Sequence, residues 1–283
     1  MELLLIIFTA AVLSAASYAD LKTLEVPDWL SYGFLFAALG IRTIFSLQSG
    51  WEVLLEGILG FTAFFLLAHL FYYTGQWGGG DSKLLMGMGA VLGVSLPLNI
   101  SSFTLLWFLL SLLFLGSIYG LAYMTVTAVK KRDLFVKEFS KRIKRAKRTN
   151  IVIVSGIFVT FILSLSISSS FLLFLSFPAM FYLFIFVNTV EKSCFIRYCK
   201  IEKLTEGDWL SEDVFIGNKK FMEKKTLQRE DLIRLSSLKK EKKIDYVKVK
   251  YGVPFVPSFL IAYLAIIFVG QNFGSILRSA LGY

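Results

Sequence analysis

Histidine occurs once in this 283-residue chain and cysteine twice, which thins out the usual catalytic and metal-binding kits. His69 lies inside an apolar stretch, where a packed or hydrogen-bonded helix residue is the simplest reading. Cys194 and Cys199 match no metal-ligand spacing and are too few for a disulfide scaffold, so they read as two small hydrophobes. No metal and no cofactor is implied. Basic residues are missing from most of the chain: of 30 Lys and Arg, ten fall in Lys130–Arg148 and sixteen in Lys192–Lys250, leaving four elsewhere. The net charge of +10 is therefore concentrated in two loops and argues against a nucleic-acid partner. Such clustering is the positive-inside signature of cytoplasmic loops. Anionic lipid headgroups add an attraction of about 1 kcal/mol per basic residue near the surface.

What is abundant is apolar: 56% of residues are hydrophobic and 16% aromatic, with a mean hydropathy of +0.67. A run of about 17–25 apolar residues is long enough to cross the hydrocarbon core of a bilayer. Five such segments precede residue 130, at roughly 3–20, 29–47, 53–74, 82–98 and 103–129, the fourth being short and glycine-bearing. The first lacks a basic leader and runs through Asp20 into the second, so it reads as a retained helix and not a cleaved signal. A charge-free stretch of 42 residues, Thr149 to Val190, lies between the two basic regions, and a last apolar segment covers about 254–274. Both basic regions belong on the cytoplasmic side, which requires an even number of crossings between them. Forty-two residues suffice for two spans at about 1.5 Å per residue, turning at Ser168-Ser169-Ser170. The expected fold is thus an all-α polytopic membrane protein of about eight segments with both termini outside. Six full spans plus a re-entrant hairpin are the alternative.

The expected organisation is a five-helix membrane core over 1–129, a basic loop over 130–148 and an apolar helical hairpin over 149–190. A small α+β cytoplasmic domain over 191–252 and a C-terminal helix and tail over 253–283 complete it. The small domain carries 16 basic and 11 acidic residues within 191–250 and is too short to build more than a marginal core alone. Within it, Leu227–Lys243 is predicted as a helix with Thr226 as N-cap, and Val214–Ile216 and Tyr246–Val249 as strands.

Two carboxylates stand out against this apolar background. Asp20 ends the uncharged run Leu3–Ala19, and Asp81 follows three glycines in Gly78-Gly79-Gly80-Asp81. An acid at the bilayer centre costs roughly 2–4 kcal/mol, so an acid in or beside a span marks a functional site by default. In the eight-segment topology both arrive at the cytoplasmic end of their helices. Glycine lets backbones approach closely, so this motif can bring Asp81 against a neighbouring helix. Two carboxylates a few ångströms apart tend to share one proton. The ionised one can then activate water while the protonated one polarises a carbonyl and later protonates the leaving amine. The competing reading makes Asp20 and Asp81 membrane-edge residues, with Asp81 as an N-cap. Gly78, Gly80, Lys83, Glu25 and Asp28 are weaker candidates for binding substrate or shaping the site. Lys83 also reads as a snorkelling lysine, Glu25 and Asp28 as solvated loop acids, and Asp208 as a structural turn residue. Tyr18, Tyr72, Tyr73 and Trp77 read as interfacial aromatics.

Several strings carry a resemblance. Asp20-Leu21-Lys22-Thr23-Leu24-Glu25-Val26-Pro27-Asp28-Trp29 resembles the pattern after the first helix of type IV prepilin peptidases, which are GxGD aspartic proteases. Gly78-Gly79-Gly80-Asp81-Ser82-Lys83 is similar to their GxGD-x-K signature, and Gly252-Val253-Pro254-Phe255-Val256-Pro257 to the motif opening their last helix. Glu206-Gly207-Asp208-Trp209-Leu210 and the long basic insert resemble archaeal preflagellin (archaellin) and prepilin peptidases. The resemblance implies an aspartic endopeptidase in the plasma membrane, with Asp20 and Asp81 catalytic. Its substrates would be pilin-like or archaellin precursors, cut at the class III signal peptide on the cytoplasmic face. Paired CxxC motifs are absent, so no zinc-bearing loop is expected and N-methyltransferase activity is left without support. Two other readings use the same acids. One is a presenilin or signal-peptide-peptidase type of intramembrane protease, whose Tyr-Asp and Pro-Ala-Leu strings are not found here. The other is a proton-coupled carrier, whose inverted repeats are not found either.

Overall fold

The computed structural model describes residues 1–95, 97, 103–166, 169–217, 219–241 and 243–281, with side chains at the C-terminus to 268. In chain order α1 (Glu2–Thr23), α2 (Asp28–Ser49), α3 (Glu52–Tyr73), α4 (Gly79–Leu92) and α5 (Thr104–Lys130) come first. The basic helix α6 (Arg132–Arg145) follows, then α7 (Lys147–Ser166), a 3-10 segment (Ser169–Leu175) and α8 (Ser176–Ser193). Strands β1 (Ile196–Lys200), β2 (Trp209–Leu210), β3 (Val214–Ile216) and β4 (Lys219–Met222) precede α9 (Arg229–Lys240) and β5 (Tyr246–Lys250). The chain ends in α10 (Val256–Leu281). Six helical stretches among the described residues are long and apolar enough to cross a membrane: α1, α2, α3, α5, α7 and Leu172–Ser193. The chain is a mostly helical, multi-pass membrane protein with a small strand-containing region.

It divides into two compact units, Met1–Gly120 with Val253–Tyr283, and Leu121–Gly252. In the first, one apolar core joins Leu13 and Ala16 of α1, Phe34 and Ala38 of α2, Phe64 of α3, Leu84 and Met88 of α4, Phe108 of α5 and Phe259 of α10. Without water, helices gain little from hiding apolar surface and associate through close packing, which favours small residues at crossings. α3 and α4 meet in that way. A Cβ on Gly60 would overlap the carbonyl oxygen of Gly89, and a Cβ on Gly89 would overlap that of Gly60. A Cβ on Gly87 would likewise run into the ring of Phe34 in α2.

The fourth segment is shorter than the expected 82–98. α4 ends at Leu92, and 14 residues rise only about 21 Å, less than the about 30 Å of hydrocarbon. Gly93 stops it: its φ of +69° lies in the left-handed region, and a Cβ there would meet the Arg42 guanidinium at 2.6 Å. At the other end of the chain the last helix outruns its expected bounds, reaching Leu281. The expected turn at Ser168 lies outside the described residues, while Ser169 and Ser170 begin the 3-10 segment.

The second unit contains a different kind of core. β1, β5 and β2 form an antiparallel sheet in the order β1-β5-β2, with Cys199 opposite Val247 and Arg197 opposite Val249. Alternation along β5 puts Val247 and Val249 into a core with Leu204, Leu210, Leu227 and Leu235. β3 and β4 pair as a separate ribbon. Strands β3 and β5 fall where the alternation placed them; β1, β2 and β4 were not anticipated. The helix expected over 227–243 is shorter, and its N-cap is Gln228, not Thr226. The reason is a capping box: the Gln228 side chain accepts from the backbone of Asp231, whose Oδ2 accepts the Gln228 N–H at 3.1 Å. Thr226 is drawn away by a bridge to Trp209.

Candidate active site

Asp20 occupies the last full turn of α1 and is 6% exposed. Its Oδ2 accepts the backbone N–H of Val256 at 2.9 Å, the first residue of α10, and the Phe255 N–H points to the same carboxylate. A helix N-terminus carries unsatisfied N–H groups and the positive end of the macrodipole, so it is a natural seat for a carboxylate. Pro257, the next residue, has no N–H to satisfy, and the Ser258 N–H turns back to the Phe255 oxygen at 3.0 Å. The Pro254-Phe255 motif therefore opens α10 so that its first donors meet Asp20.

Asp81 is half-buried in the first turn of α4. It is not the N-cap that its sequence position invited. Gly78 holds that place, with φ −75° and ψ 167°, and the Asp81 carboxylate reaches back to the Gly78 N–H. A Cβ on Gly80 would lie 3.3 Å from the Val26 Cβ, so the start of α4 packs on the link that follows Asp20, and the Asp20 charge reaches Asp81.

The approach depends on the link between α1 and α2. α1 stops at Leu24, whose φ of +61° is in the left-handed region, and the Leu24 N–H closes on the Asp20 carbonyl at 2.8 Å. A left-handed non-glycine residue costs about 1–2 kcal/mol, and here it redirects the chain so that Val26 lies under the start of α4. A Cβ on Gly80 would come within 3.3 Å of the Val26 Cβ, so the glycine lets α4 settle onto the α1–α2 link. At Gly78 a Cβ would lie 3.7 Å from Asp81 Oδ2, an ordinary contact, so its role is the cap.

The weaker candidates fall around this centre. Lys83 does not snorkel freely: its Nζ sits 2.6 Å from Asp28 Oδ1 and 5.0 Å from the centre of the Tyr32 ring. That pair ties the start of α4 to the start of α2, and Asp28 is more than a solvated loop acid although its side chain stays 70% exposed. Glu25 is exposed. The Trp77 ring is half-buried against Phe71, Phe255 and Phe259, with centroids 4.6, 5.7 and 5.7 Å away. Tyr18, Tyr72 and Tyr73 are exposed. His69 packs on Phe65 and has its Nδ1 3.0 Å from the Phe65 carbonyl oxygen. Asp208 accepts the Thr205 N–H at 2.9 Å, a turn contact in the other unit. Among the described residues no cluster of three or more His, Cys, Asp or Glu is arranged to hold a metal ion.

Arg42 escaped the sequence reading altogether. It is 3% exposed in α2, and a lone arginine in an apolar segment signals a satisfied buried cation, which its neighbours bear out.

Residues 7–124 match the family model described as the type IV leader peptidase family. Two curated relatives are named preflagellin peptidase. That of Methanococcus voltae is 33% identical over 78 residues, 27% of this chain and 33% of the relative. That of Methanococcus maripaludis (strain C6) is 32% identical over 97 residues, 32% of this chain and 40% of the relative. The chain thus spans only 33–40% of the length of these relatives. No solved structure gives a significant match.

Proposed function

We propose that this chain, whose residues 7–124 match the type IV leader peptidase family, is an aspartic endopeptidase that removes short leader peptides from pilin-like or archaellin precursors. What supports this reading is that Asp20, held by the first N–H groups of α10, lies within electrostatic reach of Asp81, whose helix packs through Gly80 on Val26. One carboxylate takes a proton from water as the water oxygen attacks the scissile carbonyl. The other, protonated, hydrogen-bonds the carbonyl oxygen. Collapse of the tetrahedral intermediate breaks the C–N bond, and the proton goes to the leaving amine. Gly78 and Gly80 shape the site, while Asp28, Glu25 and Lys83 line its approach. Neither a presenilin-type protease nor a proton-coupled carrier gains a specific observation.

In the bilayer, α4 and α10 join the six longer stretches to make eight membrane segments. Both acids and the basic regions then lie on the cytoplasmic side of the plasma membrane, with both termini outside. The five-part organisation from membrane core to C-terminal helix follows this topology.

The test is co-expression with a precursor in a host lacking such peptidases, with the leader's loss followed by mass spectrometry. Asp20→Asn and Asp81→Asn should each abolish cleavage, and the double variant should lose little more, because the two act as one unit. Normal cleavage by either Asn variant would sink the proposal. Cysteine labelling at positions 137 and 239 should reach both only from the cytoplasm; labelling of one from outside would break the topology.

A further inference from the structure

α4 ends at Leu92. Its Gly89 carbonyl accepts the Gly93 N–H at 2.9 Å, and its Val91 carbonyl takes a donor from Arg42. Arg42 Nη2 donates to the Val91 carbonyl at 2.9 Å, and Arg42 Nη1 donates to the Val53 carbonyl in the first turn of α3 at 2.8 Å. Glu56 Oε2 stands 3.7 Å from the same guanidinium, and the Glu56 carbonyl accepts the Val94 N–H at 3.0 Å, just past the end of α4. Space for this arrangement is carved from two glycines: a Cβ on Gly57 would overlap Arg42 Cδ, and one on Gly93 would meet Arg42 Nη2. The planar fork of arginine suits two carbonyls on different helices, which a lysine cannot reach together.

We propose that Arg42 is a positioning residue for the acid pair: by joining α2, α3 and the C-terminus of α4 it sets how far α4 slides along its axis, and so where Asp81 stands relative to Asp20. A helix transmits an axial shift over its length, and Asp81 lies about 15 Å from Val91 along α4. The cation also complements the negative end of the α4 dipole while Asp81 complements the positive end. The proposal rests on the peptidase reading for its kinetic consequence, not for its structural one.

The experiment therefore has two arms on the full chain in membranes. Val26→Cys with Gly80→Cys places two thiol-bearing carbons about as close as the 3.5–4.5 Å of a disulfide, so oxidation should cross-link this pair readily. Adding Arg42→Met should slow cross-linking by at least about fivefold, since a disulfide tolerates little displacement, and Arg42→Lys should fall between. In the second arm, with native Val26 and Gly80, Arg42→Met should lower kcat for a precursor by about tenfold to a hundredfold, the effect of a shift of up to about 1 Å. KM should change by less than about twofold, and Arg42→Lys should restore part of kcat. Unchanged cross-linking in Arg42→Met overturns the proposal, whatever happens to kcat. Slower cross-linking together with a wild-type chain that cleaves no precursor would leave Arg42 as the positioning residue and remove the peptidase reading instead.

Discussion

The two compact units of this protein are held together by different means. In the unit of Met1–Gly120 and Val253–Tyr283, the first 120 residues contain only ten charged side chains. Three of them, Asp20, Arg42 and Asp81, sit where backbone donors or acceptors at helix ends need a partner. Cohesion comes from close backbone approach at Gly60 and Gly89 and from the Phe34 ring packed on Gly87. In the unit of Leu121–Gly252, the strand-containing part pairs charges at its surface, such as Lys220–Asp213 and Lys248–Glu212, over an ordinary aliphatic core. Its two spans show little burial: none of α7 and 11% of Leu172–Ser193, against 22–28% for α1, α2, α3 and α5. A region whose glycines touch backbone cannot drift without losing its fold, whereas a region whose glycines face open space can. The two acids, Asp20 and Asp81, both lie in the glycine-packed unit.

The largest effect that would sharpen this contrast is chemical. Asp20→Glu or Asp81→Glu should cut precursor cleavage at least about a hundredfold, since about 1 Å of misplacement suffices, while helix content by circular dichroism stays unchanged. Retained cleavage would mean that the first unit is not tightly registered. Next comes packing. Gly60→Leu should destabilise the first unit by at least about 3 kcal/mol, read as loss of folded protein in detergent, because the clash is with backbone. Gly156→Leu in α7, where a Cβ meets nothing within 4 Å, should be indistinguishable from wild type. Equal effects would erase the comparison.

A smaller effect belongs to the strand-containing unit. Asp231→Ala removes both the reach to the Gln228 N–H and the 2.7 Å contact to Lys225, and should cost about 1–2 kcal/mol of that unit's stability without touching kcat. The Lys225 ammonium holds the Asp231 carboxyl below the usual carboxylate range of about 4. A folded-state value below the unfolded one means that the contribution is complete above about pH 4 and fades as pH falls through the lowered value. Chemical denaturation from pH 7 to 3 should show wild type and Asp231→Ala converging only at the acid end. The smallest effect is expected for Lys83→Met: its pairing with an exposed Asp28 is worth at most about 1 kcal/mol, so thermal stability should barely move.

Much of the layout was legible because its causes are local. Apolar length alone placed α1, α2, α3 and α5 to within a few residues, and alternation placed β3 and β5. β1 was hidden because Ile196-Arg197-Tyr198-Cys199-Lys200 mixes charge into both faces, and only pairing with β5 makes it a strand. The N-cap at Thr226 was misjudged because two cap-forming side chains, Gln228 and Asp231, compete more strongly a turn later. The packing of Trp77 was not legible, because its ring partners Phe255 and Phe259 lie almost two hundred residues away.

By itself the sequence determined that the chain is a multi-pass membrane protein, where its charge lies, and that Asp20 and Asp81 are acids in need of an explanation. Those follow from transfer energies of single segments, which are sums over neighbouring residues. Only the tertiary structure decided that α4 stops at Leu92, that Arg42 closes its end, and that the first N–H of α10 meets Asp20. Such contacts join residues 49 and 236 positions apart, and no local rule prices them. They exist because a backbone polar group away from water must find a partner, and which partner depends on the whole packing of the helices.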